Sequence, residues 1–309
     1  MTPQEKTHAI KQYALETLGF SACGITKVMP VEAHKEKFTT FLQKGYHGEM
    51  TYLENNFEKR FNPQLLVDDS KSVIVVLLNY YPQQRLPKDV PQIAKYAYGK
   101  DYHKVVKKKL KRLFTFIQEE IDATVQGRFF SDSAPVLERY WAQEAGLGWI
   151  GKNGLLINQS LGSYFFIGEL LINLELDYHS AIQPNHCGTC TRCIDACPTK
   201  ALVAPHQLIA KDCIAYHTIE KKTNESTKTI TSSHGWIFGC DICQDVCPWN
   251  HNPIPTNEPA FLPNSFILSA TYDDWENLSE SQFETYFAGS PLRRAGYKKI
   301  KENLKATKL

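Results

Sequence analysis

Cys187-Gly-Thr-Cys190-Thr-Arg-Cys193-Ile-Asp-Ala-Cys197-Pro198 places four cysteines in the spacing C-x2-C-x2-C-x3-C-P, and the fold is read outward from it. Two intervening residues let a tight loop present three thiolates to three corners of one 4Fe–4S cube. The fourth cysteine lies too far along the next turn to reach that cube and serves a neighbouring one. A second group, Cys240-Asp-Ile-Cys243-Gln-Asp-Val-Cys247-Pro248, lacks the leading cysteine, and Cys213 in Lys211-Asp212-Cys213-Ile214 is the available replacement. The expected assignment therefore crosses over: Cys187, Cys190, Cys193 and Cys247 hold one cluster, and Cys197, Cys213, Cys240 and Cys243 hold the other. A pair of tetrahedral zinc sites is the competing reading, because C-x2-C units also bind zinc. Zinc modules seldom add a third cysteine at x2 and a fourth at x3 before proline.

The remaining composition is that of a soluble globular chain, with 42% apolar and 22% charged residues. No apolar run reaches the ~18 residues of a membrane span. The first residues, Met1-Thr2-Pro3-Gln4-Glu5-Lys6, hold no apolar signal region, so a cytoplasmic protein is expected. In that compartment thiols stay reduced, and eight cysteines between positions 187 and 247 point to metal rather than to disulfides. The ninth, Cys23, sits in apolar Phe20-Ser-Ala-Cys23-Gly-Ile and reads as a small buried residue. A formal charge of +2 does not by itself argue for nucleic acid.

Ahead of the cysteines, apolar periodicity predicts a helix over 5–18, a buried strand over 72–80 and a basic amphipathic helix over 102–120. A strand over 127–131 delivers Asp132 and Ser133, and a helix over 134–145 follows. Strands over 154–158 and 164–173 read as a hairpin joined through 159–163. Strands interleaved with helices give an α+β layer fold. Pro184 and Asn185 open the cysteine segment, prolines 253, 255, 259 and 263 close it, and 273–309 reads as a helical, basic tail. The expected domains are 1–178, 179–260 and 261–309. No G-x-G-x-x-G lies between a strand and a helix, and no Walker motif is present, so neither a Rossmann nor a P-loop nucleotide site is supported.

Two clusters alone would make an electron carrier, but the large N-terminal part exceeds what a carrier needs and reads as a site for a catalytic group or substrate. Its motifs, Tyr46-His-Gly-Glu-Met50, Tyr98-Gly-Lys-Asp-Tyr-His103, Asp132-Ser-Ala-Pro-Val-Leu-Glu-Arg139, Ala145-Gly-Leu-Gly-Trp-Ile-Gly-Lys-Asn153, Gly162-Ser-Tyr-Phe-Phe-Ile-Gly-Glu-Leu170 and Phe287-Ala-Gly-Ser-Pro-Leu-Arg-Arg294, together with the two cysteine groups, resemble the epoxyqueuosine reductase family along nearly the whole chain. The resemblance implies a nitroreductase-like cobalamin-binding domain joined to a ferredoxin-like two-cluster domain. It implies reduction of epoxyqueuosine to queuosine at the wobble position of tRNA, fed by an external low-potential electron donor, in a protein expected to be a monomer. It also implies that Asp132 is the proton donor, and that Arg60, Asp132, Leu156, Ile167, Ala215 and Asp241 contact cobalamin, several of them through backbone.

Alternatives stand beside these roles. Asp132 could cap the helix expected from Ala134, and Arg60 could be an ordinary surface arginine. The cobalamin signature D-x-H-x-x-G is absent, so no protein histidine is expected on cobalt, and His103, His186 and His217 read as polar supporting residues. Many relatives continue into helical repeats where this chain ends at Leu309. RNA contact would then fall to the basic runs Lys104, Lys107, Lys108, Lys109, Lys111 and Arg112, and Arg293, Arg294, Lys298, Lys299, Lys301, Lys305 and Lys308. Such runs are also ordinary solvated helix faces. A reductive dehalogenase-like enzyme acting on a small organohalide and a ferredoxin-type carrier are the competing functions.

Overall fold

Residues 1–178, 181–222 and 233–307 are described by the computed structural model. The continuous apolar run within Ser72–Asn79 needs cover on both faces, and this organises the N-terminal part. An antiparallel sheet is formed by β1 (Ala22–Lys27), β2 (Ser72–Asn79), β3 (Gly127–Phe130) and β4 (Phe165–Ile172), in spatial order β1-β2-β4-β3. Seven of the eight residues of β2 are buried. Ile74 and Val76 join Leu170 and Ile172 of β4 beneath helices α1 (Pro3–Gln12) and α2 (Tyr102–Phe116). Val73, Val75 and Leu77 face the other way, onto Phe61, Leu156 and Trp141 of helix α3 (Glu138–Glu144). This is the two-residue alternation of a sheet covered on both sides. Gly168 lets α2 approach: a Cβ there would lie 2.7 Å from Val106 and 3.0 Å from Leu110.

Local chemistry sets the helix ends. Thr2 and Glu5 form a capping box on α1, which continues through a wider turn over Tyr13–Thr17. Asp101 caps α2 by accepting from His103 N at 3.0 Å. The predicted helix over 134–145 begins four residues late, at Glu138. Ala134 precedes Pro135, which disfavours helical backbone at 134, and Asp132 itself has a positive φ of 48°.

The predicted hairpin survives at its turn, where Asn158 and Gly162 bridge antiparallel, but its strands go to other partners. Leu156–Ile157 pairs with Trp149–Ile150, while β4 is taken into the central sheet. The intervening turn is instead shaped for the cysteine segment. Ser163 N donates to Asn250 Oδ1 at 2.7 Å, and any Cβ at Gly162 would fall 2.1 Å from that oxygen.

The C-terminal stretch forms helices Tyr272–Asn277, Glu280–Tyr286 and α4 (Gly296–Ala306). Trp275, Phe283, Phe287, Ile300 and Leu304 share a core with Ile93, Tyr98 and Phe238. Gln92–Ile93 pairs in parallel with Trp236–Phe238 within it. Several basic side chains of this stretch are engaged internally. Lys301 Nζ donates to the carbonyls of Trp275 at 3.1 Å, Leu278 at 3.3 Å and Glu276, closing the end of a neighbouring helix. Arg294 pairs with Glu220 at 2.8 Å, and Arg293 pairs with Glu284. Lys298 and Lys305 are exposed, and Lys308 lies outside the described residues.

Candidate active site

The two cysteine groups fold as matching loops, each entering a short helix (Arg192–Asp195 and Ile242–Asp245) before its Cys-Pro end. Cys187, Cys190 and Cys193 line a cavity of about 270 Å³, and Cys247 lines the same cavity. A second set forms deeper. Cys213 is near Cys197, Cys240 near Cys213 and Cys243, and Cys243 near Cys213, Cys197 and also Cys193. Burial pushes the Cys213, Cys240 and Cys243 thiols up, so holding them as thiolates calls for a bound cation. Among the described residues, no three His, Cys, Asp or Glu side chains converge as a single-ion site. Four thiolates on zinc at ~2.3 Å would close upon it, whereas four cysteines around a cavity leave room for a larger inorganic group.

The sheet domain grips both loops. Lys152 Nζ donates to the carbonyls of Gly188 at 2.7 Å and Cys190 at 2.9 Å, and Asn153 Nδ2 to that of Cys243 at 3.4 Å. The inner loop is held harder. Lys95 is 7% exposed; its backbone N–H donates to Asp241 at 2.8 Å, and its ammonium pairs with Asp241 at 3.3 Å and Asp245 at 2.7 Å. Gln244 Nε2 donates to Ser163 O at 2.8 Å, and the Tyr164 hydroxyl donates to Asp245.

Asp132 follows β3, and its side chain is 60% exposed. It caps no helix: its carboxylate accepts from the Tyr102 hydroxyl and lies 3.7 Å from His103 Nε2. Tyr102 is itself fixed, stacked on Phe166 at 4.2 Å and on His103 at 4.1 Å. The Asp132 N–H donates to Glu138 Oε1 at the first turn of α3. Burial and the Asp132 charge raise the Glu138 carboxyl above the usual carboxylate range.

Arg60, on the short helix Phe57–Phe61, is buried rather than at the surface. Its guanidinium lies over the Phe38 ring at 5.1 Å, and its Nε has no hydrogen-bond partner. An unpaired buried donor costs about 1–3 kcal/mol, so the position fits an acceptor brought from outside the chain. Leu156 is 2% exposed, and half-buried Ile167 of β4 packs against the same apolar cluster. The Ile167 carbonyl accepts from Ser131 Oγ at 2.9 Å, beside Asp132. Arg60, Asp132, Leu156 and Ile167 are thus drawn from around one sheet face. Ala215 and Asp241 belong to the cysteine segment. Ala215 precedes the turn Tyr216–Glu220, whose Tyr216 hydroxyl accepts from Glu49 N at 2.9 Å. The Asp241 side chain is committed to Lys95, and its carbonyl accepts the N–H groups of Gln244 at 2.9 Å and Asp245 at 2.7 Å.

The sequence reading missed Tyr102, Lys95, Glu138 and Glu169. Glu169 carried a signal, being the one acid within the apolar run 164–173. A larger hollow of about 690 Å³ runs along Pro3, Gln4 and residues 175–178, and none of these functional residues lines it.

Two family patterns match the chain: "Epoxyqueuosine reductase QueG, DUF1730" over residues 60–133 and "4Fe-4S double cluster binding domain" over 186–250. The curated epoxyqueuosine reductase of Cellulophaga algicola is 46% identical over 98% of both chains. The crystal structure of an epoxyqueuosine reductase with an epoxyqueuosine-modified tRNA-Tyr stem loop superposes with a TM-score of 0.86 at 29% identity, covering 98% of this chain and 80% of that one. The Bacillus subtilis epoxyqueuosine reductase, solved with its aspartate-bearing catalytic loop swung out of the active site, superposes with a TM-score of 0.86 at 27% identity, covering 98% and 81%.

Proposed function

The chain belongs to the epoxyqueuosine reductase family, and from that premise we propose how its residues carry out the reaction. The protein reduces epoxyqueuosine in tRNA, using a segment that binds two 4Fe–4S clusters. Removing the epoxide oxygen as water and leaving an alkene consumes two electrons and two protons. Cys187, Cys190, Cys193 and Cys247 hold the outer cluster, and Cys197, Cys213, Cys240 and Cys243 the inner; the shared cavity and the deeper thiol set support that crossed assignment. An external low-potential donor supplies electrons through the exposed outer loop.

The nitroreductase-like sheet domain binds cobalamin. Its orphaned Arg60 Nε, apolar Leu156 and Ile167, and the backbone at Ala215 and Asp241 would hold the group. Cobalamin, when bound, supplies the low-potential centre that delivers reducing equivalents at the C–O bond. The observation that carries the reading is Asp132, presented toward solvent at the end of β3 and fixed by Tyr102. Its carboxyl Oδ delivers a proton to the leaving oxygen, while Tyr102 and the Glu138 contact hold it in place. Exposed Lys104, Lys108, Lys111 and Arg112 on α2 lead away from this site and are placed to meet tRNA phosphates. The protein is read as a cytoplasmic monomer. No helix among the described residues is long and apolar enough to cross a membrane.

The test is anaerobic turnover of epoxyqueuosine-bearing tRNA, read by nucleoside mass spectrometry. Wild-type protein should yield queuosine. Asp132→Asn should keep its iron and lose turnover ~10²–10⁴-fold, the worth of general acid catalysis. A wild-type rate in that variant, with cofactors reduced beforehand, removes Asp132 from the chemistry.

A further inference from the structure

Glu169 is 0% exposed in the middle of β4, paired with Val75 on one side and Phe130 on the other. No other side chain or backbone donor satisfies its carboxyl oxygens, and the neighbour placed to share a hydrogen bond with them is the Glu138 carboxyl. An isolated carboxylate at such depth is prohibitively costly, so the group is held neutral. Burial raises it well above the ordinary carboxyl range, and the neighbouring charges of Glu138 and Asp132 push the same way. Glu138 lies between: half-buried, raised by burial and by Asp132, and touching the Asp132 backbone through its Oε1. Three carboxyls therefore run from solvent into the sheet, Asp132 to Glu138 to Glu169. The other charged or titratable groups facing them are Tyr102 and His103 from α2, Arg139 from α3, and Tyr52, Tyr96 and Arg294 from the segments around Asp132.

The chemistry needs two protons for each epoxide, and a single carboxyl at the site holds one. We propose that Glu138, backed by Glu169, is the store from which Asp132 is reloaded, so that one chain of acids delivers both protons of a turnover. Asp132 gives its proton to the oxygen as the first C–O bond opens. The Glu138 carboxyl then passes its proton to the Asp132 carboxylate, directly or through one water, and Asp132 delivers it as the oxygen leaves as water. The two electrons come from the external donor. Glu138 is left as a carboxylate able to share the Glu169 proton, and solvent refills it after product leaves. Buried Glu169 thereby lets Glu138 discharge without stranding two negative charges in the sheet.

This rests on the epoxide-reducing role proposed above, and Glu138→Gln tests it separately. Glutamine keeps an oxygen to accept the Asp132 N–H and carries no proton to give. With cofactors reduced beforehand, the single-turnover rate should fall ~10²-fold, at the lower end of what a positioned proton donor contributes, with KM unchanged and iron content intact. The wild-type rate should fall as pH rises through the raised Glu138 range, and the variant should lack that alkaline limb. Glu138→Asp should recover part of the rate. Independently of turnover, infrared spectra of the iron-loaded protein at neutral pH should show protonated-carboxyl bands, one lost in Glu138→Gln and one in Glu169→Gln. A wild-type rate and unchanged pH profile in Glu138→Gln, or wild-type spectra without such bands, overturns the proposal. Absence of queuosine from the wild-type reaction would instead strike the reading beneath it.

Discussion

Loops 187–197 and 240–247 share a cysteine spacing, a four-residue helix and a Cys-Pro end, yet sit in different surroundings. In the first, the residues between the cysteines are exposed or half-buried, and its visible tie to the sheet domain is Lys152 reaching two carbonyls. In the second, Asp241 and Gln244 are buried and bound to Lys95 and Ser163, with Asn250 just beyond joining the same network. A duplicated metal loop has thus been divided between two tasks. One half meets solvent, and the other is built against Lys95 and Ser163.

Ligand removal should give the largest effect and can break the comparison outright. Cys247→Ala should cost the outer cluster and Cys197→Ala the inner, each leaving about four of eight irons, with different paramagnetic spectra from the cluster that remains. If each variant lost the cluster of its own local group, the crossing would be wrong. Next comes Lys95→Met, which leaves Asp241 buried without its cation; breaking such a pair costs about 3–5 kcal/mol, visible as a lowered melting temperature with iron still bound. Lys152→Ala, on the outer loop, should cost only about 0.5–1.5 kcal/mol, the worth of ordinary hydrogen bonds. Equal losses at Lys95 and Lys152 would erase the distinction between the halves.

What could be read in the sequence was local. Cysteine spacing marked a metal segment, and the β-branched run at 72–80 marked a buried strand, observed over Ser72–Asn79, because neighbours along the chain decide both. Pairing was not legible. Leu156–Ile157 could be recognised as strand-forming, but it pairs with Trp149–Ile150 and not with β4, whose approach at Ser163 is held by Asn250, eighty-seven residues further on. Arg60 gave no sign of burial, since Phe57–Phe61 is too short for periodicity to show a face. Lys301 read as one more tail charge, and its work on the carbonyls of 275–278 exists only once the helices meet. Glu169 was passed over although it is an acid among apolar neighbours, and its partner Glu138 lies thirty-one residues earlier.

The C-terminal core has a consequence for the order in which the chain acquires its shape. Ile93, Ala97, Ile237 and Phe238 are covered by Trp275, Phe283, Leu292 and Leu304. Synthesis runs from the N-terminus, so this core stays open until the last residues emerge, and its contacts span more than two hundred positions. Such long-range closure is slow. A chain whose central sheet is complete but whose 275–304 stretch has not yet docked leaves Ile93 and Phe238 facing water, a form open to chaperone capture.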